Sequence, residues 1–178
     1  GPSGLSAAIK LKQLNPETNV CVLEKASEIG AHILSGNVFE TKALDELFPR
    51  WKELNTPVKT KVTKEKFLFL GKTKSFSWPT WLLPKVQKNH NNYIISLANM
   101  CRWLAEQAEA LGVEIFPGFP ASEIIYNEDG SVKGVATQDM GIDKEGNKKD
   151  SFESGIELHA KVTVLSLIHI SEPTRHTR

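Results

Sequence analysis

The first 24 residues constrain the fold more than any other stretch. Gly1-Pro2-Ser3-Gly4 opens directly into LSAAIKLKQL, in which Leu5, Ala8, Ile9 and Leu11 to Leu14 recur at helical spacing until Asn15-Pro16 stops the run. Val20-Cys21-Val22-Leu23 then reads as a short buried strand ending in Glu24, 20 residues beyond Gly4. A G-x-x-G turn, a helix, a strand and an acid in this order match the later part of a dinucleotide-binding βαβ unit, whose full turn is G-x-G-x-x-G. Gly1 lets the backbone approach a pyrophosphate, and Gly4 lets the helix pack closely on the sheet. The unpaired N–H groups and positive dipole end of the helix then face the phosphates. Glu24 is placed to accept hydrogen bonds from ribose hydroxyls. Pro2 and the pair Glu24-Lys25 favour FAD over NAD. A plain βαβ core unit is the competing account, and the register of helix, strand and acid weighs against it.

No residue precedes Gly1, so the pattern implies a chain that begins inside a domain and lacks the first strand. At 178 residues, 40% hydrophobic and 24% charged, it is long enough for one globular domain with a sizeable core. There is no uninterrupted apolar stretch of membrane-spanning length and no secretory pattern. Lys and Arg number 22 against 21 Asp and Glu, which gives no electrostatic case for nucleic acid. Cys21 and Cys101 each sit in apolar surroundings and read as buried free thiols, with a disulfide as the alternative.

After the acid, EKASEIGAHILSGNVFE has glycines and little periodicity. It suits a chain folding back along a cofactor, or an ordinary surface loop. His32 alone reads as a hydrogen-bonded loop histidine and is given no catalytic role. From Phe67 to Val86 the sequence is FLFLGKTKSFSWPTWLLPKV. It reads either as a hairpin packing its aromatics on the core, or as a membrane-interface segment. Phe76, Trp78, Trp81, Leu82 and Leu83 around two prolines, with Lys72, Lys74 and Lys85 beside them, carry the interface reading.

Residues 92–111 form a helical pattern with the stripe Ile94, Ala98, Cys101, Leu104 or Ala105, Ala108 and Leu111, ended by Gly112. Val113 to Phe116 reads as a strand. Ile124 to Tyr126 and Val132 to Thr137, joined through Asp129-Gly130, read as a β-hairpin. Residues 143–150, DKEGNKKD, read as a solvated loop. Ile156 to Ala160 alternates like a strand, and Val162 to Val164 starts another expected to run back into the sheet.

GPSGLSAAIKLKQL, VCVLEKASEIGAHILSG, NYIISLANMCRWLAEQAEALGVEIFPGF and GSVKGVATQDMGIDKEG together resemble the electron-transfer flavoprotein:ubiquinone oxidoreductase family, from Gly1 to about Val164. The resemblance implies an α/β chain: an incomplete glutathione-reductase-type FAD-binding fold with part of a quinone- and membrane-facing β-rich subdomain. It implies FAD here, and a [4Fe-4S] cluster and ubiquinone in a full-length protein, with the cluster ligands outside this chain. Electron-transfer flavoprotein, ubiquinone and the surface of an inner membrane, bacterial or mitochondrial on the matrix side, are the implied partners. By the same resemblance Gly1, Ser3 and Gly4 form the pyrophosphate turn, Glu24 the ribose acid with Lys25 after it, and His32, Leu34, Ser35 and Gly36 the loop passing the flavin. Ala121 is placed by the adenine, and residues 67–86 on the quinone side.

The implied segments are 1–66 and 92–164 for the FAD-binding domain, 67–91 for the membrane-facing insertion, and 165–178 for a foreign tail. LSLIHISEPTR in that tail resembles the conceptual translation of a transposase adapter used in preparing sequencing libraries. The alternative is a lineage-specific tail with a short apolar strand. A chain so bounded is expected to fold poorly, to be inactive alone and to hold FAD weakly if at all. Two other functions share these features: an FAD-dependent dehydrogenase of the geranylgeranyl-reductase type, and a non-enzymatic peripheral membrane module. The acid at Glu24 speaks against the second, because a pure anchor needs no ribose ligand.

Overall fold

A computed structural model describes residues 1–166 except Leu34 and residues 143–146; the side chains of residues 140, 142, 148 and 151 are likewise left aside. The adapter-like stretch from residue 167 onward lies outside the described residues. In chain order the elements are α1 (Pro2–Leu14), β1 (Cys21–Glu24), β2 (Asn37–Phe39), α2 (Lys42–Leu47), β3 (Thr60–Lys61), β4 (Phe67–Leu70), β5 (Ser75–Trp78), β6 (Tyr93–Ile95), α3 (Leu97–Ala110), β7 (Glu114–Pro117), β8 (Ala121–Tyr126), β9 (Val132–Thr137), β10 (Met140–Ile142), β11 (Lys148–Glu153) and β12 (Glu157–His159). The chain is mixed α/β. It divides into one unit of residues 1–32 with 104–178 and a second of residues 33–103, so the segment 67–91 lies wholly in the second.

In the first unit α1 buries Leu5, Ala8, Ile9 and Lys12, the i, i+3, i+4, i+7 pattern of one helix face. Full burial of Leu5 and Ile9 contributes roughly 1.5–3 kcal/mol each. Leu11 and Leu14, grouped with that face from spacing, instead point to water at 45% and 73% exposure. The position they would have filled is taken by Lys12, which is 9% exposed. Its stem packs inward, and its ammonium donates to the carbonyls of Pro16 at 2.6 Å and Thr18 at 3.2 Å. It thereby satisfies the turn that delivers the chain into β1.

Strand β1 pairs in parallel with β7, Cys21 opposite Glu114 through Glu24 opposite Pro117. Among the described residues β1 has no second ladder partner. That open side leaves Cys21 exposed, contrary to the expectation of two buried thiols; Cys101 is fully buried, and the two are not joined in a disulfide. Partial desolvation, followed by the carboxylate of Glu114, raises the Cys21 pKa and keeps it a thiol.

Strands β8, β9 and β12 form an antiparallel sheet in the order β12-β9-β8. The expected turn joins β8 to β9: Asn127 and Ser131 close it through their backbone, Gly130 sits at φ 81°, and Asp129 accepts from the Ser131 amide and hydroxyl. Residues 148–150 belong to β11, which pairs with β10, so the latter part of the charged stretch is ladder rather than loop. Residues 162–164 form no strand; the last rung of the sheet is the Ala160 amide to the Lys133 carbonyl, and beyond it the chain bends away.

In the second unit β2, β6 and β3 form an antiparallel sheet with β6 central. Tyr93 to Ile95, assigned to a helix by spacing, is that central strand, because its aromatic and β-branched residues find ladder partners on both sides. The helix begins only after Ser96, whose carbonyl takes the first α-helical bond from Met100. Its far end behaves as expected: Gly112 at φ 82° lets the Gly112 amide reach Glu109 and the Val113 amide reach Ala108, the Schellman pair. Trp51 is buried, edge-on to Tyr93 at 5.8 Å, and its indole N–H donates to Asp45 at 2.6 Å. Strands β4 and β5 make a separate hairpin.

Candidate functional site

The candidate nucleotide site belongs to the first unit and is assembled at one end of β1. Helix α1 starts at Pro2 with Gly1 as its N-cap, with no side-chain capping bond and no acid in its first turn. Its first internal bond runs from the Leu5 amide to the Gly1 carbonyl. The amides of Ser3 and Gly4 therefore have no partner within the helix and point out of its positive end. A Cβ built on Gly1 would meet nothing within 4 Å, so the space before the helix is open. These are the features an anionic diphosphate requires, and the residues present fit one.

Glu24 ends β1 beside this turn. One carboxylate oxygen accepts from the Ala26 amide at 3.0 Å, and the other lies 3.4 Å from the Gly1 nitrogen. The carboxylate is thus fixed at the tip of the strand, 18% exposed, with acceptor capacity left over. Lys25 follows it on the surface.

The segment after β7 closes the other side. The Gly118 amide donates to the Ala26 carbonyl at 2.8 Å and the Phe119 amide to the Glu24 carbonyl at 3.1 Å. Ala121, an exposed residue at the start of β8, follows two positions later. The structure therefore brings together Gly1, Ser3, Gly4, Glu24 and the approach to Ala121. Sequence reasoning took the segment from Gly118 to Ala121 to lie by the adenine but missed Ala26 and the bonds that tie Gly118 and Phe119 to β1. The visible signal was Gly118 before Phe119-Pro120, since φ 83° there is what turns the chain back along β1.

A Cβ on Gly4 would lie 3.4 Å from the side chain of Ser166, a residue of the stretch set apart above as a foreign tail. His32 is exposed at the end of the first unit. Ser35 and Gly36 are exposed in the second, Gly36 at φ 87° with open space around it; Leu34 lies outside the described residues.

Of the apolar candidates in the second unit, Phe76, Trp78, Trp81 and Leu82 are exposed, Trp81 at 74%. Leu83 is not: at 9% exposure it is buried, because the 3-10 turn Thr80–Leu82 ends with its amide bonded to Thr80 and reverses its direction. Leu68, Phe69 and Leu70 of the apolar FLFL run are exposed as well, and so is Val86. An open depression of ≈ 420 Å³ in the 51–59 loop includes none of the candidate residues. Among the described residues no group of His, Cys, Asp and Glu is disposed to hold a metal ion, and no helix is long and apolar enough to cross a membrane.

No protein-family model matches the chain. Curated proteins do. The chain is 52% identical over 170 residues to the mitochondrial electron transfer flavoprotein-ubiquinone oxidoreductase of Oryza sativa, covering 93% of this chain and 29% of that one. It is 56% identical over 171 residues to the Caenorhabditis elegans protein of that name, covering 93% and 28%, and 53% over 172 residues to that of Pseudomonas aeruginosa, covering 93% and 31%. The chain thus spans under a third of the length of these relatives. Among solved structures, Thermovibrio ammonificans THI4 matches at TM-score 0.46 and 18% identity, covering 77% of this chain and 44% of that one. A flavoprotein/dehydrogenase from Cytophaga hutchinsonii matches at TM-score 0.45 and 15%, covering 86% and 34%. Neither of these two likenesses bears on the fold.

Proposed function

We propose, for a chain that belongs by sequence among the electron transfer flavoprotein-ubiquinone oxidoreductases, that it supplies the FAD-holding part of such an enzyme together with part of its quinone-side surface. The observation carrying this is the uncapped start of α1 beside the Glu24 carboxylate, which the Ala26 amide fixes at the tip of β1 at 3.0 Å. The amides of Ser3 and Gly4 hold the pyrophosphate, Glu24 accepts from the ribose hydroxyls, and Lys25 and the Gly118–Ala121 turn flank the adenine end. The loop through His32, Leu34, Ser35 and Gly36 lies along the flavin, in a fold of the glutathione-reductase type.

FAD supplies the electron-carrying ring; the protein positions it and sets its potential. Electron transfer through a flavin requires no general base of the hydrolase kind. In the complete enzyme, electrons pass from reduced electron-transfer flavoprotein to ubiquinone, with a [4Fe-4S] cluster held by residues outside this chain. The exposed apolar side chains Phe76, Trp78, Trp81 and Leu82 face the bilayer from which a lipid-soluble quinone must be drawn. The exposure of these side chains supports reading the enzyme as peripheral to an inner membrane.

The test is a chimera in which residues 1–164 replace the matching segment of the Pseudomonas aeruginosa relative. It should reduce a short-chain ubiquinone with reduced electron-transfer flavoprotein as donor. A folded, flavin-loaded chimera that oxidises its donor yet never reduces quinone would reject the quinone-side assignment, and one that folds without flavin would reject the FAD assignment.

A further inference from the structure

The second unit carries a charge asymmetry that flavin binding does not use. Between Lys66 and Ala105 there is no Asp or Glu, while Lys66, Lys72, Lys74, Lys85 and Lys88 are all exposed. The chain as a whole is balanced at 22 basic and 21 acidic residues, so the charges are segregated here.

The same stretch holds the β4–β5 hairpin, whose register sets Phe67 opposite Trp78 and Phe69 opposite Phe76. Cross-strand partners project to one side and alternate residues share it, so all four rings lie on a single face. They touch edge-on, Phe67 to Phe69 at 5.4 Å, Phe69 to Trp78 at 6.1 Å and Phe76 to Trp78 at 6.4 Å. The Gly71 amide bonds to the Lys74 carbonyl and closes the turn, which puts Lys72 and Lys74 at the hairpin tip next to Leu70, 79% exposed. Further along, Val86 is 93% exposed between Lys85 and Lys88, and Lys88 Nζ donates to the Trp81 carbonyl at 3.1 Å.

A broad aromatic face in water next to lysines, with the carboxylate of Glu65 engaged by the Asn89 amide and no acid between Lys66 and Lys88, matches a medium that is apolar within and anionic at its surface. An acidic protein would satisfy the lysines but leave the rings in water. We propose that this segment recognises anionic lipid headgroups: Lys72 and Lys74, with Lys85 and Lys88, select a negatively charged bilayer over a neutral one. This rests on the membrane-facing reading above and adds the headgroup class to it.

The test is co-sedimentation of the folded chimera carrying residues 1–164 with vesicles of phosphatidylcholine alone and of phosphatidylcholine mixed with phosphatidylglycerol. Binding should be tighter to the mixed vesicles and weaken with salt. The double variant Lys72→Gln/Lys74→Gln should lose about 30-fold on mixed vesicles, from roughly fivefold per lysine near an anionic surface, and nothing on neutral ones. Both residues are exposed turn positions, so the hairpin persists. Trp81→Ala should weaken binding to both vesicles. Equal binding to the two vesicle types, or a double variant indistinguishable from the parent, would overturn the headgroup selectivity while leaving the membrane reading in place. Binding to neither vesicle would overturn both, and retention on polyglutamate in that case would assign the lysines to an acidic protein.

Discussion

Lys12→Met is the substitution that most sharply separates the buried role of this lysine from the surface role its charge suggests. Methionine keeps the length and apolar character of the stem but removes the ammonium that holds the Pro16 and Thr18 carbonyls at 2.6 and 3.2 Å. Hydrogen bonds from a charged donor contribute roughly 1.5–3 kcal/mol each. Relief of the desolvated ammonium offsets part of the sum. The net loss should be about 2 kcal/mol, which for a chain of this size lowers Tm by about 4–8 °C. Urea unfolding followed by circular dichroism should show a lower midpoint with an unchanged slope. Lys12→Ala should cost about 1 kcal/mol more, since it also strips methylenes from a side chain only 9% exposed. Because the 15–18 turn feeds β1, amide exchange in Lys12→Met should accelerate first between Val20 and Glu24. If Lys12→Met stays within about 0.5 kcal/mol of the parent, as ordinary surface substitutions do, the capping argument is refuted.

Two further predictions concern the sheet and the second unit. A Cβ at Gly134 would overlap the Leu158 carbonyl and lie 2.9 Å from the His159 Cα. Gly134→Ala should therefore break the β9–β12 pairing at a cost of about 3 kcal/mol, and hydrogen exchange at Ala160 should rise with it. Hydrogen bonds from the Trp51 indole and then the Thr41 hydroxyl hold the Asp45 carboxyl below its ordinary pKa. A depressed folded value means the stabilisation is complete above the unfolded pKa and is lost as pH falls through the folded one. Trp51 fluorescence should then stay flat from neutrality down to the ordinary carboxylate range and change only below it, and Asp45→Asn should abolish that response.

Where local chemistry alone sets the geometry, the sequence was readable. Gly1, Gly4 and Glu24 flank a helix and a strand whose lengths are set by Asn15-Pro16 and by the apolar run 20–23. Gly112 and Asp129-Gly130 stop a helix and turn a hairpin through backbone conformations few other residues adopt. What could not be read depended on distant partners. Ile94 fits a helical stripe as well as a strand, and only the ladders to β2 and β3 decide between them. Lys12 looks like a solvated charge until the 15–18 carbonyls are in place. Leu83 shares its composition with exposed neighbours, and one 3-10 turn inverts it. Val162 to Val164 has strand propensity but makes no ladder among the described residues. The Ala26 amide on the Glu24 carboxylate, the Phe119 amide on the Glu24 carbonyl and the Gly118 amide on the Ala26 carbonyl are all bonds given by backbone donors, which side-chain patterns do not encode.

The account turns on Glu24 as a ribose ligand, and the most direct measurement is FAD affinity in the chimera and in its Glu24→Gln variant. Glutamine keeps the shape and one acceptor oxygen but loses the charge. With roughly 1.5–3 kcal/mol for a charge-assisted bond, FAD should bind about 10- to 100-fold more weakly. Unchanged FAD affinity in Glu24→Gln, with the fold intact, would contradict the placement of the cofactor at the tip of β1.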